Sequence, residues 1–449
     1  MRSVHRSTRP RRTLVGVLVI AGLVFAACSN STSKGSSSTT TAGTAQPITG
    51  VPGVTNTEIR FAAFGTQANN PLGTCVLTCY VQGIKAYFAF RNSQGGVQGR
   101  QMVLSKSLDD ELGNNQARAL EITSANDTFA AFSATQLPSG WADVARAGIP
   151  LYTWSIHPDA MSGQSSIFGY TGALCTLCTN RGLAYAGTLV HATKVATLGY
   201  GISPNSKQCA DSSATTVNLY SRDTGQKAVY TADNLAFGLP NGIGPEVTAM
   251  KKAGVDFILG CLDLNGMKTL AQELERQGMG TVPLFHPNTY DAAFVAAAGN
   301  LFEGDIVGVG FRPFEADPAN TQLSDFRRWM QQTGSAISEL AMYGWINADL
   351  AYQGLVAAGP RFDRASVIAA TNKMTAYTAG GLIPPIDWTR QHISPTPADQ
   401  STHGSAQDCA AFVRVVHGAF QLVGDPKKPF LCWDGSNQAW ATPVPTTFK

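Results

Sequence analysis

Apolar and polar positions alternate over Glu58–Phe64 and stop at Gly65, which predicts a strand. The spacing then changes. Val81, Ile84 and Phe88, with Tyr87 beside them, form a helical stripe that ends at the polar run Asn92–Gly96. Met102–Leu108 predicts a second strand, leading into Asp109, Asp110 and Glu111, and Asn114 or Asn115 is placed to cap a helix to about Ser124. Phe129–Phe132 and Ile149–Trp154 predict a third and a fourth strand, with a helix over Ser139–Ala147 closed by Gly148. A second series begins after Phe168–Tyr170. Its strands are predicted at Val195–Tyr200, Lys227–Tyr230, Val255–Cys261 and Val282–Phe285, and its helices at Ala210–Arg222, Val247–Ala253 and Met267–Gln277. Strand–helix units repeated at this spacing predict parallel sheets covered on both faces. Two such series predict two similar α/β lobes. Near the end, Val413–Val416 and Phe420–Val423 flank His417 and Gly418, a hairpin signal.

The first residues follow a different logic. Arg2, Arg6, Arg9, Arg11 and Arg12 precede an uncharged apolar run, Leu14–Ala27, of 14 residues. That is shorter than the roughly 20 a spanning helix needs, and a basic start with a short apolar segment predicts an export signal over residues 1–27. Phe25, Ala26, Ala27 and Cys28 resemble a bacterial lipobox, with Phe25 where leucine is usual. The resemblance implies a Cys28 acylated as the new N-terminus; a plain secretory signal with a chance cysteine is the other reading. Arg11 and Arg12 leave Sec and twin-arginine export both open. Residues 28–53 are expected to be a flexible tether, since Ser29–Gly50 is nearly all Ser, Thr, Gly, Ala and Asn and cannot bury enough apolar surface to order itself.

Composition narrows the class. With the five signal arginines removed, 33 basic and 30 acidic residues become 28 and 30, a formal charge of −2. That balance argues against a nucleic-acid partner, which needs a clustered basic face. About 395 residues remain, enough for two lobes of ordinary size, with no later run long enough to span a membrane. Eight cysteines beyond Cys28 suit an oxidising compartment. Proximity predicts the pairs Cys75–Cys79, Cys175–Cys178, Cys209–Cys261 and Cys409–Cys432. A redox-active Cys175–Cys178 dithiol is the sharper alternative, but it lacks a strand-to-helix context. No histidine pair or second CxxC completes a zinc set, and no cofactor motif is present. GxSxG, HExxH and P-loop patterns are absent too, which argues against an enzyme. Asp109–Glu111 is read as a solvated turn rather than a catalytic carboxylate pair.

Several segments resemble, in order, the branched-chain amino-acid type of ABC-transporter substrate-binding protein. They are Gly53–Arg60, Asn92–Arg100, Asp109–Asp110, Ala147–Pro150, Met250–Asp256 and Tyr377–Pro385. The resemblance covers about Gly53 to Val423. It implies a type I periplasmic binding protein: two Rossmann-like lobes with parallel sheets, joined by a three-strand hinge. Lobe one would be 54–169 plus 304–385, and lobe two 170–303 plus 386–449. The family's partners are a small-molecule ligand and an ABC permease, and a monomer held to the bacterial membrane by lipid is expected here.

Ligands of such sheets sit beyond the carboxyl ends of the strands. The corresponding loops are Thr66–Thr74, Ser133–Gln136, Ser155–His157, Tyr200–Asn205, Cys261–Asn265 and His286–Tyr290. By resemblance, Ser133, Thr135 and Gln136 face a ligand carboxylate, Ser155 and His157 an ammonium, and Tyr200 and Tyr343 line the cleft; the bland reading is polar loops that merely cap helices. Amino-acid binders of the family carry an acidic residue in lobe two, where this chain has Asn288 with Asp263 as a possible substitute. Tyr152, Trp154 and Tyr290 crowd the expected cleft and hint at a larger or planar ligand. The reading is an extracytoplasmic lipoprotein that binds a small polar organic solute, such as an amino acid or amide. A ligand sensor of the same fold stands as the alternative, with a secreted enzyme as the remoter one.

Overall fold

A computed structural model of the 449-residue chain describes residues 47–71, 73–154, 163–172, 180–287, 289–393 and 409–449. The first series builds strands β1 (Glu58–Gly65), β2 (Gln101–Asp109), β3 (Ala130–Ala134), β4 (Leu151–Thr153) and β5 (Ile167–Gly169). They form one sheet in the order β2-β1-β3-β4-β5, every pair parallel. Helices α1 (Leu77–Ser93), α2 (Asn115–Ala125) and α3 (Trp141–Arg146) connect them. Five of the eight β1 residues, from Ala62 to Phe64 with Ile59 and Phe61, are wholly buried, as a strand covered by helices on both faces must be.

The second series carries helices α4 (Arg181–Thr188), α5 (Pro204–Leu219), α6 (Ser221–Thr224), α7 (Gly244–Ala253), α8 (Leu264–Arg276) and α9 (Ala292–Ala298). Its strands are β6 (Lys194–Tyr200), β7 (Lys227–Leu235), β8 (Phe257–Cys261), β9 (Leu284–His286) and β10 (Ile306–Val309). They belong to a nine-stranded sheet that continues through β11 (Cys409–Val416), β13 (Phe430–Cys432) and β14 (Val444–Thr446), with β12 (Ala419–Leu422) paired to β11. The expected hairpin is β11–β12, and it joins antiparallel to β10. Helix α5 starts six residues earlier than the apolar spacing predicts, because Ser203 caps it and Pro204 takes its first position.

Helices α10 (Leu323–Gln332), α11 (Glu339–Ala358) and α12 (Arg364–Thr371) return to the first lobe. Residues 304–309 do not: β10 pairs with β9 and β11, so the chain re-enters lobe one only after Val309. The chain passes between the sheets three times, and the one passage described throughout, 310–322, is turns rather than the expected strand. The last residues cross back as well. Thr378 donates to the Lys449 carbonyl at 2.6 Å, and buried Arg312 bonds Thr447 and the Gly381 carbonyl.

Three of the four expected disulfides are formed: Cys75–Cys79, Cys209–Cys261 and Cys409–Cys432. Cys175, Cys178 and Cys28 lie outside the described residues. Cys409 and Cys432 face each other in register between β11 and β13 and close a 23-residue separation. Replacing both with serine should lower stability by about 2–4 kcal/mol in chemical denaturation, because the unfolded chain regains loop entropy. Among the described residues, no helix is long and apolar enough to cross a membrane.

Candidate ligand-binding site

The carboxyl ends of the two sheets face one another. From lobe two, Asn265 in the first turn of α8 donates to the Pro71 carbonyl of lobe one at 2.9 Å, and a side chain at Gly73 would collide with Asn265. From lobe one, the Tyr343 ring on α11 stacks on Tyr170, with centroids 4.0 Å apart, and on Trp154 at 6.4 Å; Phe311 meets its edge. The seam thus has a polar end at the loops after β1 and β8 and an aromatic end at α11.

At the polar end the structure joins two of the expected residues. Strand β6 ends at Tyr200 and β8 is followed by Asp263, so parallel pairing sets them side by side. The Tyr200 hydroxyl donates to Asp263 Oδ1 at 2.6 Å, and the same oxygen caps α8 by accepting the Gly266 amide at 2.9 Å. Ser206 fixes this corner by donating to the Cys261 carbonyl and accepting the Tyr200 amide, and Cys209–Cys261 ties α5 to it covalently. Asp263 is 7% exposed, and its second oxygen, Oδ2, is buried without a hydrogen-bond partner among the described residues. Burial pushes its pKa above the usual carboxylate range against the pull of Tyr200 and Gly266.

Lobe one behaves differently from the family analogy. Ser133 and Thr135 are both buried, with their hydroxyls engaged inside the lobe: Trp141 Nε1 donates to Ser133 Oγ at 3.2 Å, and Thr135 donates to Asp110 Oδ2 at 2.7 Å. Strand pleat explains this, since β3 residues that close the sheet also have to satisfy its buried neighbours. Asp110 is consequently no solvated turn. It is wholly buried and also accepts from Leu112 and Asn115. Gln136, the next residue on that loop, holds a buried Nε2 with no partner among the described residues. Tyr152 lies in the lobe-one core against Phe132 and Phe168 rather than in the cleft. Ser155, His157 and Asn288 lie outside the described residues.

The loop around Asn288 is anchored on both sides. His286, 1% exposed, pairs through Nε2 with Asp305 Oδ2 at 2.7 Å and through Nδ1 with the Thr289 hydroxyl at 3.2 Å. Tyr290 turns away from the expected cleft into the passage between lobes: its hydroxyl donates to Glu315 and accepts the Phe314 amide, and its ring stacks on Phe314. Glu339, which sequence reasoning passed over, accepts the Tyr343 hydroxyl at 2.5 Å. Its only sequence signal is a first-turn position after the cap Ser338, which says nothing about burial. Among the described residues, no group of three or more His, Cys, Asp or Glu is placed to hold a metal ion.

This arrangement, two α/β lobes meeting at the carboxyl ends of their strands over unpaired polar atoms, is built to enclose a solute. The sequence model of the periplasmic binding protein family matches residues 73–419. Among solved structures, the chain resembles a fatty acid ABC transporter substrate-binding protein from Thermomonospora curvata, at 17% identity over 90% of this chain and 98% of that one, with a TM-score of 0.65. It also resembles a leucine binding protein from Thermotoga maritima, at 12% identity over 82% and 98% of the two chains and a TM-score of 0.65. A third is a branched-chain amino acid ABC transporter protein from Thermus thermophilus with bound valine, at 16% identity over 82% and 96% and a TM-score of 0.61. No curated protein matches the chain in sequence. The chain belongs to the periplasmic binding protein family, with the type I α/β fold, and is a solute-binding protein rather than an enzyme.

Proposed function

We infer that the chain is an extracytoplasmic lipoprotein, acylated at Cys28, that captures a small polar organic solute between its lobes and delivers it to an ABC permease. The observation that carries the ligand class is Asp263 Oδ2, a buried carboxylate oxygen with no partner among the described residues. An acceptor left in that state costs free energy unless a ligand supplies a donor, and an ammonium or amide N–H does so. Gln136 Nε2, on the lobe-one loop after β3, is a buried donor likewise without a partner among the described residues. Tyr200 orients Asp263 from beneath, and Tyr343 with Trp154 supplies the apolar wall. Ser155, His157 and Asn288 complete the proposed set from the loops that follow β4 and β9. A longer apolar ligand is the competing class, since the similar Thermomonospora curvata protein is named for fatty acids. A fatty carboxylate would set a second negative charge against Asp263, which disfavours that class here.

A thermal-shift screen separates these readings, because a ligand that binds only the native state stabilises it by about 2.7 kcal/mol at one hundred times its Kd. Amino acids, amides and ureas are expected to raise the Tm. Hits confined to fatty acids or other carboxylates without an N–H donor would overturn the role given to Asp263. A solute that binds while the cognate permease shows no stimulated transport would favour the sensor reading.

A further inference from the structure

The loop that follows β9 is fastened at both ends. At its start, His286 is bonded to Asp305, just before β10, and holds Thr289 by its other ring nitrogen. At its far end Tyr290 is 3% exposed and turns into the passage 310–322, where its hydroxyl donates to Glu315 and accepts the Phe314 amide at 2.7 Å. Its ring also meets Phe420 of the lobe-two hairpin at 5.0 Å.

Lobe one grips Phe314 as well. Arg327 of α10 donates to the Phe314 carbonyl. The Phe314 ring stacks on Tyr290, at 5.1 Å and 15°, and on Phe326 of α10, at 5.9 Å and 5°. Near-parallel rings therefore run from the lobe-two loop to a lobe-one helix. The rest of the passage is stitched to both lobes in alternation. The Arg312 amide donates to the Leu382 carbonyl of lobe one at 2.6 Å and the Gln322 amide to that of Gly380 at 2.9 Å, whereas the Asp317 amide donates to Pro426 of lobe two at 2.8 Å. Pro313, with φ fixed by its ring, leaves little freedom between Arg312 and Phe314. The lobes cannot part about this passage without freeing Phe314 from one of its two holders.

We propose that Tyr290 is a positioning residue for lobe closure: by seating Phe314 against α10, it ties the loop after β9 to the passage on which the lobes turn. The proposal rests on the reading that a solute is held between the lobes and touches that loop. A solute seated there steadies the loop, the loop steadies Tyr290, and Tyr290 keeps Phe314 in its stack. Closure is then favoured by the difference in affinity between the two arrangements. A passage released from Tyr290 lets the lobes part and shortens the solute's stay.

The test begins without solute. Tyr290→Phe keeps the ring and removes only the hydroxyl. Small-angle X-ray scattering of the full chain should then show a larger radius of gyration, and hydrogen exchange at the Phe314 amide should speed up on the order of tenfold. The amino acid or amide with the largest Tm rise in the thermal-shift screen is the probe for the second arm. Its Kd should rise on the order of threefold to tenfold through faster dissociation, and saturating probe should compact the variant less than the wild type. A purely structural role would lower the Tm but leave the dissociation rate and the compaction alone. Glu315→Ala, at a half-buried position, removes the acceptor from the passage side and should act in the same direction, which keeps the proposal testable if the phenylalanine variant fails to fold. Glu315→Gln retains an acceptor and should keep most of the wild-type behaviour. Wild-type scattering and amide exchange in Tyr290→Phe, or a loosened passage with an unchanged dissociation rate, would overturn the proposal. A screen without a hit would sink the solute reading, and the solute-free arm still upholds or overturns the tie between loop and passage on its own.

Discussion

Asp263→Asn should abolish most of the affinity for an amine-bearing solute while leaving the fold intact. Asparagine can still accept the Tyr200 hydroxyl and the Gly266 amide and remains a good helix cap, so the corner between β6, β8 and α8 keeps its geometry. What disappears is the charge on Oδ2. A hydrogen bond to a buried charged partner is worth about 1.5–3 kcal/mol, which predicts a Kd raised on the order of tenfold to a hundredfold by calorimetry. The ligand-free variant should also be more stable than wild type near neutral pH. Burial raises the folded pKa of Asp263, so its contribution to stability is present below the unfolded carboxylate value and is lost as pH rises through the folded one. Asparagine does not titrate and avoids that loss. Unchanged affinity, or a variant less stable than wild type, would remove Asp263 from the site.

Gly83→Val is the second large effect, and it acts through the scaffold. Helices α1 and α11 cross so closely that a Cβ at Gly83 would lie 1.8 Å from the Ala341 carbonyl oxygen, and one at Gly344 would lie 2.0 Å from that of Tyr80. Both obstacles are backbone and cannot rotate away. Separating the helices would disturb the buried bonds between them, Tyr87 to Asp349 at 2.6 Å and Asn347 to the Tyr80 hydroxyl at 2.6 Å. Overpacking of this kind costs about 1–3 kcal/mol or more, and here it also displaces Glu339 and Tyr343. The Tm should fall by many degrees and ligand affinity with it. Gly113→Ala, where an added Cβ meets nothing within 4 Å, should change the Tm little.

The fold was legible because hydrophobic period reports which faces are buried, whatever buries them. Strands β1–β4, β6 and β8 and helices α7 and α8 lie close to where the alternation and the helical stripes put them. Three cysteine pairs were legible as well, since each joins positions that are near in sequence or at strand ends. The site was legible only as a set of loops. Periodicity cannot say which way a hydroxyl on a strand end turns, so Ser133 and Thr135 could be read as ligand contacts although their side chains satisfy Trp141 and Asp110. Tyr290 was misplaced for the same reason: an aromatic near a loop can face a cleft or a hinge with equal local sequence.

The sequence by itself determined two α/β lobes, their order along the chain and the strand ends at which a solute would be met, because those depend on short-range patterns and chain connectivity. The tertiary structure alone decided that Asp263 keeps one oxygen without a partner among the described residues, that β10 belongs to lobe two and that Tyr290 turns onto Glu315 and Phe314. Each of these depends on groups dozens of residues apart competing for the same hydrogen bonds in a space from which water is excluded, and that competition is settled only when the lobes meet.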